Sequence, residues 1–102
     1  KFFMKFIQIN PGGNITAIVR GQYSQKNKLL IAAKILTQNK KIEQVGFWEK
    51  SRKSAAKLKM AGGEFCGNAT RALAYAVSKE IKSNQFYLES SGIKRPHSLY
   101  HR

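Results

Sequence analysis

Met60-Ala61-Gly62-Gly63-Glu64-Phe65-Cys66-Gly67-Asn68-Ala69-Thr70-Arg71 runs two glycines into Cys-Gly-Asn and then into an alanine-rich stretch. Glycines break the chain and alanines carry a helix, so the spacing predicts a helix that starts at the cysteine. The first N–H groups of a helix have no intrahelical acceptor, and the aligned peptide dipoles leave partial positive charge there. A cysteine at that point is biased toward thiolate. The same N–H groups can hold a carboxylate. Sulfur beside a carboxylate cradle suits proton transfer at the α-carbon of an amino acid.

From Cys66 to about Ile81, the residues Ala69, Leu73, Ala76, Val77 and Ile81 fall on one face, and Ala72 and Ala74 extend a small-residue surface to its flanks. That pattern predicts a central, largely buried helix with strands packed closely around it. The strands are legible on both sides. Lys5–Ile9 roughly alternates and stops at Asn10-Pro11-Gly12-Gly13-Asn14, and Ile15–Arg20 is rich in β-branched residues, which together suggest a hairpin with a broad loop. Asn27 can cap a helix carrying Leu29, Leu30, Ala33, Ile35 and Leu36, with Lys28 and Lys34 on its polar side. Gln44–Glu49 and Gln85–Glu89 read as strands, and Ala55–Met60 as a weaker one. Ser90-Ser91-Gly92 ends the last strand, and residues 93–102 read as a tail, disordered or aberrant. The order β-β-α-β-β-α-β describes an α+β domain over residues 1–92 whose sheet wraps a helix.

The 102 residues suffice for one small core. Nineteen Lys and Arg against five glutamates give a formal charge of +14, which raises a polyanion as partner. The charges are scattered, however, with Lys50-Ser51-Arg52-Lys53 the densest cluster, so a solvated basic surface is the preferred reading and nucleic acid is not expected. The absence of aspartate excludes a paired-aspartate site. The two histidines, His97 and His101, both lie in the tail, so no metal site is expected. One unpaired cysteine fits a reducing, cytoplasmic setting. The opening Lys1-Phe2-Phe3-Met4-Lys5-Phe6-Ile7 is too short for a membrane span.

Residue chemistry leaves several readings open. A lone cysteine is more often a small buried hydrophobe than an acid or base. Flanking glycines and a helix start weigh toward a ligand-facing Cys66, and the two readings balance. Asn14 is a turn residue by default, or else its amide reaches a substrate. Asn68 has the same two readings. Glu64 could favour the helix through its dipole or oppose thiolate formation at Cys66.

Asn10-Pro11-Gly12-Gly13-Asn14, Glu43-Gln44-Val45-Gly46-Phe47 and Gly63-Glu64-Phe65-Cys66-Gly67-Asn68-Ala69-Thr70 resemble, in order and spacing, the N-terminal half of cofactor-independent amino-acid racemases of the diaminopimelate epimerase type. The likeness is greatest to the histidine racemases of opine metallophore biosynthesis. Arg71 is instead similar to the Cys-Gly-Asn-Gly-x-Arg run of diaminopimelate epimerase itself. The resemblance covers roughly Met4 to Gly92.

It implies one of two similar halves, each a sheet curled round a helix, with a small amino acid held in the cleft between them. No cofactor is used: a thiolate on one face removes the α-proton and a thiol on the other returns one. Carried over, Cys66 resembles the acid/base of the first half. Gly67 and Asn68 resemble the helix-start groups that hold the α-carboxylate, and Asn14 and Gln44 match polar cleft positions. A second cysteine and a C-terminal domain are absent from these 102 residues. The resemblance therefore implies an isomerase present as one half, inactive alone, whose partner is the missing half or, less readily, a second copy. Residues 93–102 match no family segment, which suggests a truncated or frameshifted product or an incomplete sequence. A phenazine-biosynthesis-type isomerase is the alternative in the same fold, where Gly-His-Ala-Thr stands in the corresponding run. Asn68 and the retained Cys66 argue against it. A small basic nucleic-acid-binding module is the alternative from another class.

Overall fold

Thr16-Ala17-Ile18-Val19 and Val45-Gly46-Phe47-Trp48 place apolar side chains on both faces of their strands, so each strand is expected to be covered twice. The computed structural model, which describes residues 4–64, 66–83, 85–92 and 97–101, bears this out. Its elements are β1 (Ile7–Ile9), β2 (Thr16–Arg20), α1 (Gln25–Gln38), β3 (Gln44–Glu49), β4 (Ala56–Met60), α2 (Gly67–Ser78), β5 (Gln85–Ser90) and β6 (His97–His101). They form an α+β domain with one six-stranded mixed sheet in sequence order.

Pairings alternate along the sheet. β1–β2, β3–β4 and β5–β6 are antiparallel, whereas β2–β3 and β4–β5 are parallel and are joined through α1 and α2. Crossovers between parallel strands are right-handed in nearly all proteins. Because β3 and β4 run in opposite directions, the same hand of crossover sends the two helices to opposite faces. The core divides accordingly. Ala17, Val19, Val45 and Phe47 meet Ile31, Ala32 and Ile35 of α1 on one side. On the other, Ile9, Ile18, Trp48, Leu58, Phe86 and Leu88 join Ala69, Ala72, Leu73, Ala76 and Val77 of α2. Leu58, Leu73 and Leu88 are fully buried, each contributing roughly 1.5–3 kcal/mol of burial free energy.

The predicted hairpin forms, with Ile7 opposite Ile18. Four expectations need correction. Helix α1 starts at Gln25, because the Ser24 hydroxyl accepts the Asn27 N–H at 3.1 Å and caps the helix three residues earlier than Asn27 would. Its buried side is Lys28, Ile31, Ala32 and Ile35, leaving Leu29, Leu30 and Leu36 exposed. Lys28 turns inward to meet Glu49 at 3.2 Å, a buried charge tolerated because it is paired. Helix α2 ends at Ser78, where Lys79 and Glu80 donate back to the carbonyls of Ala76 and Val77 and tighten the final turn.

Fourth, residues 97–101 are a strand rather than part of a tail, with Gln85 opposite His101 and Glu89 opposite His97. The outer backbone groups of β5 need partners, and β6 supplies them. Tyr100 stacks on Phe86 with centroids 5.9 Å apart. The remaining tail positions, 93–96 and 102, lie outside the described residues.

Candidate functional site

Helix α2 begins where the sequence placed it. Cys66 is its N-cap, extended at φ −137° and ψ 110°, and no side chain of the described residues caps the helix through a hydrogen bond. The first backbone bond of the helix runs from the Thr70 N–H to the Cys66 carbonyl at 3.0 Å. The N–H groups of Gly67, Asn68 and Ala69 therefore precede the helical ladder and point out of its end. Glu64 is exposed and does not cap the helix. Gly63, at φ +77°, makes the turn that leads in, a conformation that side chains with a Cβ resist.

Cys66 is free and half-buried, packed at the margin of the α2 core. It is neither sealed in hydrocarbon nor fully in solvent. Two hydroxyls fix its backbone: Thr70 Oγ1 donates to the Cys66 carbonyl at 2.8 Å and lies 3.2 Å from Ser90 Oγ on β5. Its sulfur faces β3, with Sγ donating to Gln44 Oε1 at 2.9 Å.

Gln44 and Thr16 open β3 and β2 and stand opposite one another in the parallel register. Gln44 Nε2 donates to Thr16 Oγ1 at 2.7 Å, and Thr16 Oγ1 donates to the Asn14 carbonyl at 3.1 Å. Gln44 thus bridges the cysteine and the loop after β1. Asn14 itself is exposed and joins this cluster through its backbone carbonyl rather than its amide.

Asn68 is held from two sides. Arg71 donates to its Oδ1. On the other side lies Gly13, where a Cβ would come within 3.1 Å of Asn68 Nδ2. A side chain at position 13 would therefore crowd the Asn68 amide and require it to shift by a few tenths of an ångström. An open cleft of about 420 Å³ adjoins these residues, lined by Gln8, Ile9, Asn10, Pro11, Arg71 and Tyr75.

Four of the five expected site residues, Cys66, Gly67, Asn68 and Gln44, thus gather at one end of α2, and Asn14 contributes its carbonyl. Thr16, Thr70 and Ser90 were missed. Thr16 and Thr70 read as ordinary strand and helix residues, and only the strand register reveals what their hydroxyls meet. No group of three metal-ligating side chains gathers among the described residues, and no helix among them is long and apolar enough to cross a membrane.

Fold and site together define an α+β domain that sets a thiol and uncapped helix amides side by side at the start of an interior strand of a mixed sheet. The chain belongs to the family described as histidine racemase CntK N-terminal domain, whose family model matches residues 3–98. That match extends beyond Gly92, where the motif resemblance stopped. Two histidine racemases of Fusobacterium nucleatum subsp. nucleatum strains are 44% and 41% identical over 73 residues, which are 70% of this chain and 26% of each relative. A histidine racemase of Staphylococcus aureus is 32% identical over 95 residues, 87% of this chain and 35% of the relative. The chain therefore spans about a quarter to a third of the length of these curated relatives.

Proposed function

We propose that this chain is the first half of a cofactor-independent amino-acid racemase of the diaminopimelate epimerase type, with Cys66 as the acid/base group on one face of the substrate α-carbon. The observation that carries this reading is the half-buried thiol at the uncapped start of α2. A substrate carboxylate set on the N–H groups of Gly67 and Asn68 would bring its α-carbon toward Sγ. As the α-proton leaves, negative charge moves onto the carboxylate oxygens. Helix-start amides stabilise that charge where it develops, with a dipole contribution of roughly 0.3–1 kcal/mol and up to ~2 in partly buried geometry.

Inversion needs a second group on the opposite face. The chain holds one cysteine, so the second thiol belongs to a further domain or, less readily, to a second copy of this chain. Histidine or a similar amino acid is the proposed substrate, as the named relatives suggest, and a cytoplasmic setting suits a free thiol. Asn68, Gln44 and the loop at Asn14 would line this half of the cleft, and the sheet around α2 would be its wall.

The test is alkylation of Cys66 by iodoacetamide near neutral pH. Histidine should slow it in a saturable way, whereas an amino acid amide lacking the carboxylate should not. Equal protection by both, or none by histidine, would remove the carboxylate cradle. The 102-residue chain alone should not exchange the α-proton of histidine with solvent. Robust exchange lost in Cys66→Ser would overturn that expectation.

A further inference from the structure

Thr16 is fully buried and stands opposite Gln44 on the neighbouring strand. Its hydroxyl decides which way the neighbouring amide points. A threonine hydroxyl has one proton to give. Here that proton goes to the Asn14 carbonyl at 3.1 Å, an acceptor that has nothing to offer in return. Thr16 Oγ1 can then only accept from Gln44, which must turn its Nε2 toward it, at 2.7 Å. The other end of the amide, Oε1, is left facing Cys66 Sγ at 2.9 Å. An amide oxygen cannot donate, so the sulfur must carry the proton for this contact to be a hydrogen bond.

We propose that Thr16 is a positioning residue that, through Gln44, holds Cys66 as a thiol, so that this half of the enzyme rests as the proton donor of the pair. The inference rests on the acid/base role proposed above and adds a direction to it. In the resting state the opposing base takes the α-proton and Cys66 supplies the replacement. The S–H bond breaks, the new C–H bond forms on the opposite side of the α-carbon, and the electron pair stays on sulfur. The thiolate so formed faces an oxygen that repels it, until it regains a proton or Gln44 gives up its bond to Thr16 and turns over.

The sequence reading pointed the other way, since a cysteine at a helix start is biased toward thiolate. Both influences act on one sulfur: the helix end favours the anion, and the fixed amide oxygen favours the thiol. Removing the hydroxyl should therefore release the first from the second. In Thr16→Val, which keeps the shape of the side chain, Gln44 can turn its Nε2 toward Cys66. Iodoacetamide should then modify the full chain ~5-fold faster at neutral pH, the size expected from losing the preference set by one hydrogen bond. Thr16→Ser restores the hydroxyl and should return the parent rate. A merely structural role would not be rescued in this way, and absorbance near 240 nm should show more thiolate in the valine variant alone.

An unchanged or slower rate in Thr16→Val, or a serine variant that behaves like valine, overturns the proposal. Should the valine variant fail to fold, amide exchange in the parent chain decides. Gln44 side-chain protons that exchange clearly more slowly than those of exposed Gln22 support the anchor, and equal exchange refutes it. Protection by histidine is read separately. Its loss would remove the substrate reading while leaving the effect of Thr16 on the thiol standing or falling by these rates.

Discussion

Helices α1 and α2 are both crossovers on the same sheet, yet they solve different problems. The α2 side gathers inward residues from β1 through β5, with Tyr100 of β6 packed against them. Its own contribution is mostly alanine, with Leu73 and Val77 as the larger anchors. Small side chains let the strands come close, and among the described residues no side chain caps the helix start. The α1 side is narrower, drawing mainly on β2 and β3, and it encloses the Lys28–Glu49 ion pair. A stretch with three exposed leucines needs the pair less for binding energy than for satisfying a lysine that its register turns inward. One helix therefore carries the site and the other carries the sheet.

Breaking the ion pair should give the largest effect. Glu49→Ala leaves Lys28 buried without its partner and is expected to cost about 3–5 kcal/mol, read as a fall in the urea midpoint. Lys28→Met combined with Glu49→Leu should recover most of that loss, since an apolar pair of similar size avoids desolvating two charges. Leu73→Ala strikes the α2 core at a fully buried position and should cost about 3 kcal/mol. If that loss is matched by lost histidine protection of Cys66 even where the chain stays folded, the alanine-rich core and the site are one mechanical unit. Leu29→Gln with Leu30→Gln should be the mildest change, within about 0.5 kcal/mol, because both side chains are about half exposed. A large loss there would place those leucines in a packed interface and erase the contrast between the helices.

The two faces also differ in how well the sequence disclosed them. The α2 side was legible because glycines, a cysteine and an alanine series all pointed to the same helix start, and the small-residue face matched the buried face. On α1 the leucines misled. Leu29, Leu30 and Leu36 made an apolar pattern, but burial follows Ile31, Ala32 and Ile35 together with a lysine whose partner lies 21 positions away on β3. A helical period identifies a stripe only when the apolar residues outnumber the alternatives on one side. β6 was missed because its two apolar residues, Leu99 and Tyr100, are adjacent rather than alternating and stand between polar residues. At the site, Cys66, Gly67 and Asn68 were adjacent in sequence and easily grouped. Thr16 was invisible, as its role depends on facing Gln44 across a parallel register fixed only by the crossover.

The alternation of antiparallel and parallel pairs also sets an order in time. β3 and β4 are joined through residues 50–55, a short loop that closes at small entropic cost, whereas β2–β3 and β4–β5 must wait for the segments 21–43 and 61–84 to close around a helix. The β1–β2 connection, residues 10–15, is equally short, so both of these hairpins can form early, and the helical flaps fold onto the sheet after them. A refolding chain would assemble the region around Cys66 only after the α2 segment had docked, so the amino-acid binding proposed above should appear late in folding.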